Sequence, residues 1–342
     1  MKTFRPKIYV YAVLAVVVAI AILLYCFFFT EFSKQSNTEY IYIDADDTTD
    51  SVVVKLEKVG NSHAVNAFSN MARHFGYDGD KIRTGRYAVE PGESTFSLFR
   101  KMKNGMQSPV KLTMPESRTT DRLAAVLAHK LMLDSAEVAE QLADQEFCNK
   151  YGCDTSTVMA LFIPDTYEVY WNISLDKLMK KMEKANNNFW NEERTTKANA
   201  MGLTKDEVAT LASIVDEETA NNSEKPMIAG MYFNRLKKGM PLQADPTIKF
   251  ALKDFALRRI YHKLLTVDSP YNTYKNQGLP PGPIKIASVA GIDAVLNYVH
   301  HDYLYMCAKE DFSGTHNFAV TYAEHLQNAA KYTKALNNRG IK

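Results

Sequence analysis

The sequence has no CxxC pair and no HExxH, so the commonest zinc-ligand spacings are missing and no metal is expected. GxxxxGKS/T, GxGxxG and GxSxG are absent too, which removes the usual nucleotide and serine-hydrolase readings; no cofactor is expected. Charge of one sign is scarce. The formal net charge is +2, and Lys2, Arg5 and Lys7 alone supply three positive charges ahead of any acid. Residues 31 to 342 therefore carry −1, which gives no basic face for nucleic acid. The four cysteines are Cys26, Cys148, Cys153 and Cys307. Cys148 and Cys153 are close enough to pair in an oxidising compartment, and two free thiols are the alternative. No internal repeat is visible.

What remains is a globular composition, 46% hydrophobic and 23% charged, on 342 residues, enough for two domains. Ile8 to Phe29 is an uncharged run of 22 residues. As a helix it reaches about 33 Å, enough to cross a bilayer core. It ends in three phenylalanines with no small-x-small site, so it reads as an uncleaved anchor rather than a signal peptide. Lys2, Arg5 and Lys7 hold residues 1–7 in the cytoplasm, which leaves the body outside the inner (cytoplasmic) membrane.

Residues 30–109 open with a polar stalk. Strand patterns at Glu39–Asp44 and Gly85–Val89 flank helical patterns at Ser51–Val59 and Val65–Phe75, and a third helix follows at Ser94–Asn104. Residues 110–342 form a larger domain. Its expected strands are Val110–Met114 and Tyr303–Ala308, and its expected helices include Arg122–Met132, Ser135–Ala143, Leu175–Asn187, Ile292–His300 and Thr321–Leu336. The fold class is α+β: an N-terminal transmembrane helix, a small α/β module and a mixed catalytic domain. Lys177, Lys180, Lys181 and Lys184 on one helix read as a solvated face or as a contact for an anionic polymer.

The stretch from Asp206 to Asp245 organises the larger domain. Val208, Leu211, Ala212 and Val215 recur at the spacing of one buried helical face. Thr204 is a good N-cap, with Asp206 and Glu207 in the first turn. At about 100° per residue, Glu218 falls beside Leu211 and Ile214 on the flank of that face. Asp216 sits on the opposite flank and Glu217 points to solvent. A carboxyl among aliphatic side chains loses hydration of its charged form, so its pKa rises toward that of a general acid. The plainer alternative is a structural acid paired with a buried arginine.

Asn221-Asn222-Ser223 ends this helix and Pro226 opens the next, which runs to about Lys238 and is stopped by Gly239. On it Ile228, Tyr232 and Arg235 share a face. Arg235 either reaches a carboxylate or covers apolar surface. Gln243 to Thr247 reads as a polar loop. Asp268 to Ile284 holds four prolines and two glycines and is a loop carrying Tyr271, Asn272, Thr273, Tyr274 and Gln277. Aromatic faces beside amides and hydroxyls suit a sugar ring; a turn-rich surface loop is the alternative. His316-Asn317-Phe318 is placed in a loop.

LASIVDEET (211–219) resembles the motif of the endolytic murein transglycosylase, YceG-like, family. The resemblance continues in order through MYFNRLKKGMPLQADPTI (231–248), SPYNTY (269–274), GLPPGPI (278–284) and THNF (315–318), with GRYAVEPG and FIPDTY upstream. The family's catalytic glutamate is the second acid of its IVEKET-like motif, a place Glu218 occupies here. Two positions earlier the family has Glu and this chain has Asp216. The small module is similar to a LysM-like module. The resemblance implies cleavage of the MurNAc–GlcNAc β-1,4 bond of nascent glycan strands, leaving a 1,6-anhydromuramoyl end and terminating elongation. Glu218 acts first as acid, then as base. Peptidoglycan strands are the implied partner, with glycan-polymerising synthases alongside. Asn234, Gln243, Asp245, Tyr271, Asn272, Thr273 and Tyr274 are the candidate substrate-binding residues. Two rivals stand beside it: a hydrolytic muramidase using Asp245 to activate water, and a wall-binding scaffold without catalysis.

Overall fold

The computed structural model describes residues 6–257 and 259–339. The chain is mixed α+β, mostly helical, with three two-stranded sheets among the described residues. The uncharged N-terminal run forms one helix, α1 (Pro6–Phe28). Among the described residues no helix is long and apolar enough to cross a membrane. Lys2 and Arg5, used above to orient the chain, lie outside the described residues, as do the side chains of Lys7, Ile8, Leu23, Cys26 and Phe27.

Two compact units follow. One holds the residues up to Leu112 together with Lys130–Met132 and Glu168–Ile173. Its elements are β1 (Glu39–Ile43), α2 (Thr49–Glu57), α3 (Ser62–His74), β2 (Gly85–Val89) and α4 (Thr95–Lys103). β1 and β2 pair antiparallel, with Glu39 opposite Val89 and Ile43 opposite Gly85. Alternation along β1 turns Ile41 and Ile43 inward and leaves Tyr40 and Tyr42 exposed. The inward residues join Val52, Leu56, Phe68, Tyr87, Leu98 and Met102 in one core.

β3 (Val110–Thr113) pairs with β4 (Thr166–Val169). Sequence reading found the turn at Pro164-Asp165 but not the strand beyond it. The second unit carries α5 (Thr120–Lys130), α6 (Ser135–Ala143), α7 (Gln145–Asn149), α8 (Leu175–Phe189) and α9 (Glu192–Met201). Cys148, Cys153 and Cys307 are free thiols. The four lysines of α8 are exposed, as a solvated face requires.

α10 (Lys205–Glu218) is the centre of this unit. A capping box between Thr204 and Glu207 starts it, and it ends at Glu218, three residues before the expected stop. It is not amphipathic. Every residue from Val208 to Val215 is buried, because α11 (Lys225–Lys237), α12 (Asp245–Leu252) and α13 (Val289–Leu296) pack around it. The two hydroxyls caught in that interior are satisfied locally: Thr210 donates to Asp206 O at 2.7 Å and Ser213 to Thr210 O at 2.7 Å. β5 (Tyr305–Ala308) and β6 (His316–Ala319) make an antiparallel hairpin, and α14 (Tyr322–Asn338) follows it. Two segments expected as loops are thus regular: 245–247 opens α12 and 316–318 belongs to β6. Tyr303–Ala308, expected as a buried strand, is half-buried at Tyr305–Ala308.

Candidate active site

The last turn of α10 places three consecutive acids at the negative end of a helix dipole, where each needs compensation. Two receive cations. Asp216, expected at the edge of the apolar arc, is buried: its Oδ1 lies 2.7 Å from Lys225 Nζ. It also accepts from Ser288 N at 2.7 Å and Ser288 Oγ at 2.8 Å, at the start of α13. Glu217 does not point to free solvent. Arg118 Nε donates to both its oxygens at 3.1 Å, and Lys285 stands 3.8 Å away.

Glu218 receives a neutral partner instead. Tyr232 Oη donates to Glu218 Oε1 at 2.6 Å. The structural alternative of a paired arginine is not what the geometry shows. Loss of hydration pushes the Glu218 carboxyl up to about 7, and the negative charge of Asp245 adds to the rise; the Tyr232 hydrogen bond and Lys249 pull the other way. Tyr232 is itself driven well above its ordinary range by burial and by the adjacent carboxylate, so it remains a donor.

Glu218 opens onto a cavity of about 290 Å³, lined also by Tyr232, Arg235, Gln243, Asp245, Tyr274 and His316. Pro226 starts α11 and Gly239, at φ +65°, stops it, which fixes Tyr232 and Arg235 one turn apart. Arg235 does not meet a carboxylate. Its guanidinium donates to Leu304 O at 2.6 Å, Leu242 O at 2.8 Å, Pro241 O at 3.2 Å and Gln243 Oε1 at 3.3 Å. It thereby ties the 241–243 segment to the strand that follows Leu304. Gln243 adopts a left-handed backbone, φ +52°, that a non-glycine residue holds only when its surroundings fix it. Its N–H donates to Thr273 O at 3.0 Å.

Of the candidate substrate-binding residues, Gln243, Asp245 and Tyr274 border the cavity with Glu218. Tyr274 Oη donates to Asp245 Oδ1 at 2.6 Å, so two carboxylates in one cleft each carry a phenol. The structure does not place the other four on the cavity. Asn272 is buried, donating to Leu265 O and Val267 O and accepting from Tyr274 N. Thr273 accepts from Ala244 N at 3.0 Å and meets the Thr247 hydroxyl at 2.8 Å. Tyr271 packs its ring 4.6 Å from that of Phe250. Asn234 donates to His301 O at 2.6 Å and Tyr303 O at 3.1 Å. These four shape the segments that carry the lining residues. Sequence reading places Tyr232 on a helix face with Arg235, and His316 in a loop within the THNF match, but makes neither a site candidate; the spacing of Tyr232 to Glu218, i and i+14 across a turn, holds no signal. Among the described residues no group of three His, Cys, Asp or Glu could hold a metal ion.

A buried carboxyl with a raised pKa, beside a second acid, in a polar cleft at the end of a central helix, has the arrangement that proton transfer requires. Comparison with known proteins gives the family of the chain. The YceG-like family model matches residues 41–331, and the chain belongs to that family. It is 30% identical over 327 residues to the endolytic murein transglycosylase of Bacillus subtilis (strain 168), covering 90% of this chain and 88% of that one. It is 27% identical over 310 residues to the protein of the same name from Streptococcus pneumoniae D39, spanning 82% of this chain and 56% of that relative. A crystal structure of a yceG-like protein from Listeria monocytogenes aligns with a TM-score of 0.57 at 29% identity, over 86% of this chain and 99% of that one.

Proposed function

We propose that this chain is an endolytic lytic transglycosylase of murein that cleaves the MurNAc–GlcNAc β-1,4 bond of nascent strands and leaves a 1,6-anhydroMurNAc end. The observation that carries the reading is Glu218, which can be protonated near pH 7 and is held by one phenol in a cleft shared with Asp245. Tyr232 occupies Oε1, so Oε2 is the oxygen left to deliver a proton. Glu218 protonates the glycosidic oxygen, and the C1–O4 bond breaks with its electron pair going to O4. Positive charge develops at C1, where the negative charge of Asp245 is favourable. The sugar's own C6 hydroxyl closes on C1, and Glu218 recovers a proton from it, so no water is consumed. Gln243 and Tyr274 contact the sugar; Asn234, Tyr271, Asn272 and Thr273 act by holding the segments that carry them.

The N-terminal run, uncharged from Ile8 to Phe29, supports a single-pass inner-membrane anchor with the catalytic domain outside. The first unit, two antiparallel strands around two helices, serves as a LysM-like module. Cleaving nascent strands would end elongation and place the enzyme beside glycan-polymerising synthases. Mass spectrometry of muropeptides released by the full chain in detergent tests the chemistry. Anhydro ends that vanish in Glu218→Gln support it. A second reading stands on Asp245, which shares the cleft and could activate water; reducing ends in place of anhydro ends would select it.

A further inference from the structure

His316, the first residue of β6, borders the same cavity as Glu218. Its backbone N–H donates to Glu224 Oε1 at 2.6 Å, and its Nδ1 lies 3.0 Å from Glu224 Oε2. The Glu224 side chain is 8% exposed, and both its oxygens are taken up by this one histidine. A carboxylate at Nδ1 places the ring proton there and leaves the lone pair on Nε2. Nε2 has no hydrogen-bond partner among the described residues and is not a buried atom. Backing one imidazole with a buried carboxylate fixes the orientation of its ring and turns Nε2 away from that carboxylate.

We propose that His316 is the second proton-transfer group of this cleft. Once the C1–O4 bond has broken, the muramoyl O6 forms its bond to C1 while the O6–H bond breaks, its electron pair staying on oxygen. The proton goes to His316 Nε2, and the imidazolium is held by the charge of Glu224. It then returns that proton to the Glu218 carboxylate left by the first step, directly or through one water, and both groups are reset. Protons balance over the cycle and no co-reactant is needed. This inference rests on the transglycosylase reading and supplies the route by which Glu218 recovers its proton.

The experiment compares the full chain in detergent with His316→Ala, His316→Gln and Glu224→Gln on purified glycan strands, following kcat, KM and product ends. His316→Ala is expected to lose about a hundredfold in kcat with KM little changed, because proton transfer rather than binding is removed. Added imidazole restores at least about tenfold of that loss, which a structural role would not allow. His316→Gln, which can keep the bond to Glu224, stays equally slow, and Glu224→Gln loses about tenfold. Full activity in His316→Gln, with anhydro ends from the unsubstituted chain, overturns the relay alone. A folded His316→Ala variant that no imidazole concentration rescues overturns it as well. Reducing ends from the unsubstituted chain overturn the transglycosylase reading itself.

Discussion

Two clefts flank the end of α10, and they treat adjacent glutamates oppositely. On one side Glu217 sits in a cavity of about 540 Å³ with Arg118, Arg122, Lys285 and Glu116, and its charge is met by cations. On the other, Glu218 is hydrogen-bonded by the Tyr232 phenol and faces the unwelcome charge of Asp245, with Lys249 acting on it only through space. Asp216, one residue further back, is sealed in an ion pair with Lys225. Three acids of nearly the same chemistry thus become a surface-linked ion pair, a buried ion pair and a desolvated carboxyl hydrogen-bonded by a phenol. The difference lies in what faces each of them, so residue type alone does not mark a catalytic acid. What sets Glu218 apart is a desolvated carboxyl with no ion-pair partner among the described residues.

The largest effect should come from removing that one proton. Glu218→Gln keeps the hydrogen bond from Tyr232 but cannot protonate the leaving oxygen, and kcat/KM should fall by about a thousandfold or more. Stability should move the other way. The Glu218 carboxyl binds its proton more tightly in the folded chain than in the unfolded one. Its contribution is therefore full below about pH 4.5 and is lost as pH rises through about 7. Relative to the unsubstituted chain, Glu218→Gln should gain about 2 kcal/mol between pH 5 and pH 8 in urea titrations, allowing for the solvent that the open cleft admits. A stability difference independent of pH would place this carboxyl in ordinary water.

Asp216 offers the complementary case, stability without chemistry. Its side chain is 2% exposed and that of Lys225 7%. Asp216→Ala leaves a buried ammonium without its partner, and about 3–5 kcal/mol should be lost. The Asp216→Ala, Lys225→Met pair should recover part of that loss, because no charge is then stranded. If the single variant lost under about 1 kcal/mol, the contrast between buried and surface pairing would be wrong.

How much of this could be read beforehand follows the range of the interactions involved. The start of α10 was legible because Thr204, Glu207 and the apolar spacing act within a few residues, and so were Pro226 and Gly239 at the ends of α11. The flank position of Glu218 is likewise local geometry. The fates of Asp216 and Glu217 were not legible, because their partners Lys225, Ser288, Arg118 and Lys285 come together only in the fold. β6 read as a loop since its pairing is made with β5 across an intervening turn. Asp245-Pro246 reads as part of a polar loop, whereas packing against α10 makes it the start of α12. α10 itself read as amphipathic because sequence period shows one apolar face and cannot show that small Thr210 and Ser213 close the other.

A smaller effect separates the phenol from the carboxyl it serves. Tyr232→Phe removes the hydrogen bond that holds Glu218 down, so the carboxyl should titrate about one unit higher. In the unsubstituted chain activity should decline as pH rises through about 7, because the acid form is lost. In Tyr232→Phe that decline should begin at higher pH, while the maximal rate falls about tenfold from looser aim of the proton. A decline that stays in place would assign the pH dependence to another group.

The smallest effect is expected on the well-paired side. Glu217→Gln removes an ion pair whose Arg118 side chain is 46% exposed and returns readily to water. Stability should drop by no more than about 1 kcal/mol, and less at high salt. Its charge also nudges Glu218 upward, so the basic limb of the activity profile should shift slightly to lower pH, with the rate at pH 6 changed less than about threefold. Two adjacent carboxyls would then differ by about two orders of magnitude or more in their effect on rate, despite sharing one helix turn. A loss in Glu217→Gln as deep as that in Glu218→Gln would show that the proton is shared between the two clefts rather than confined to one.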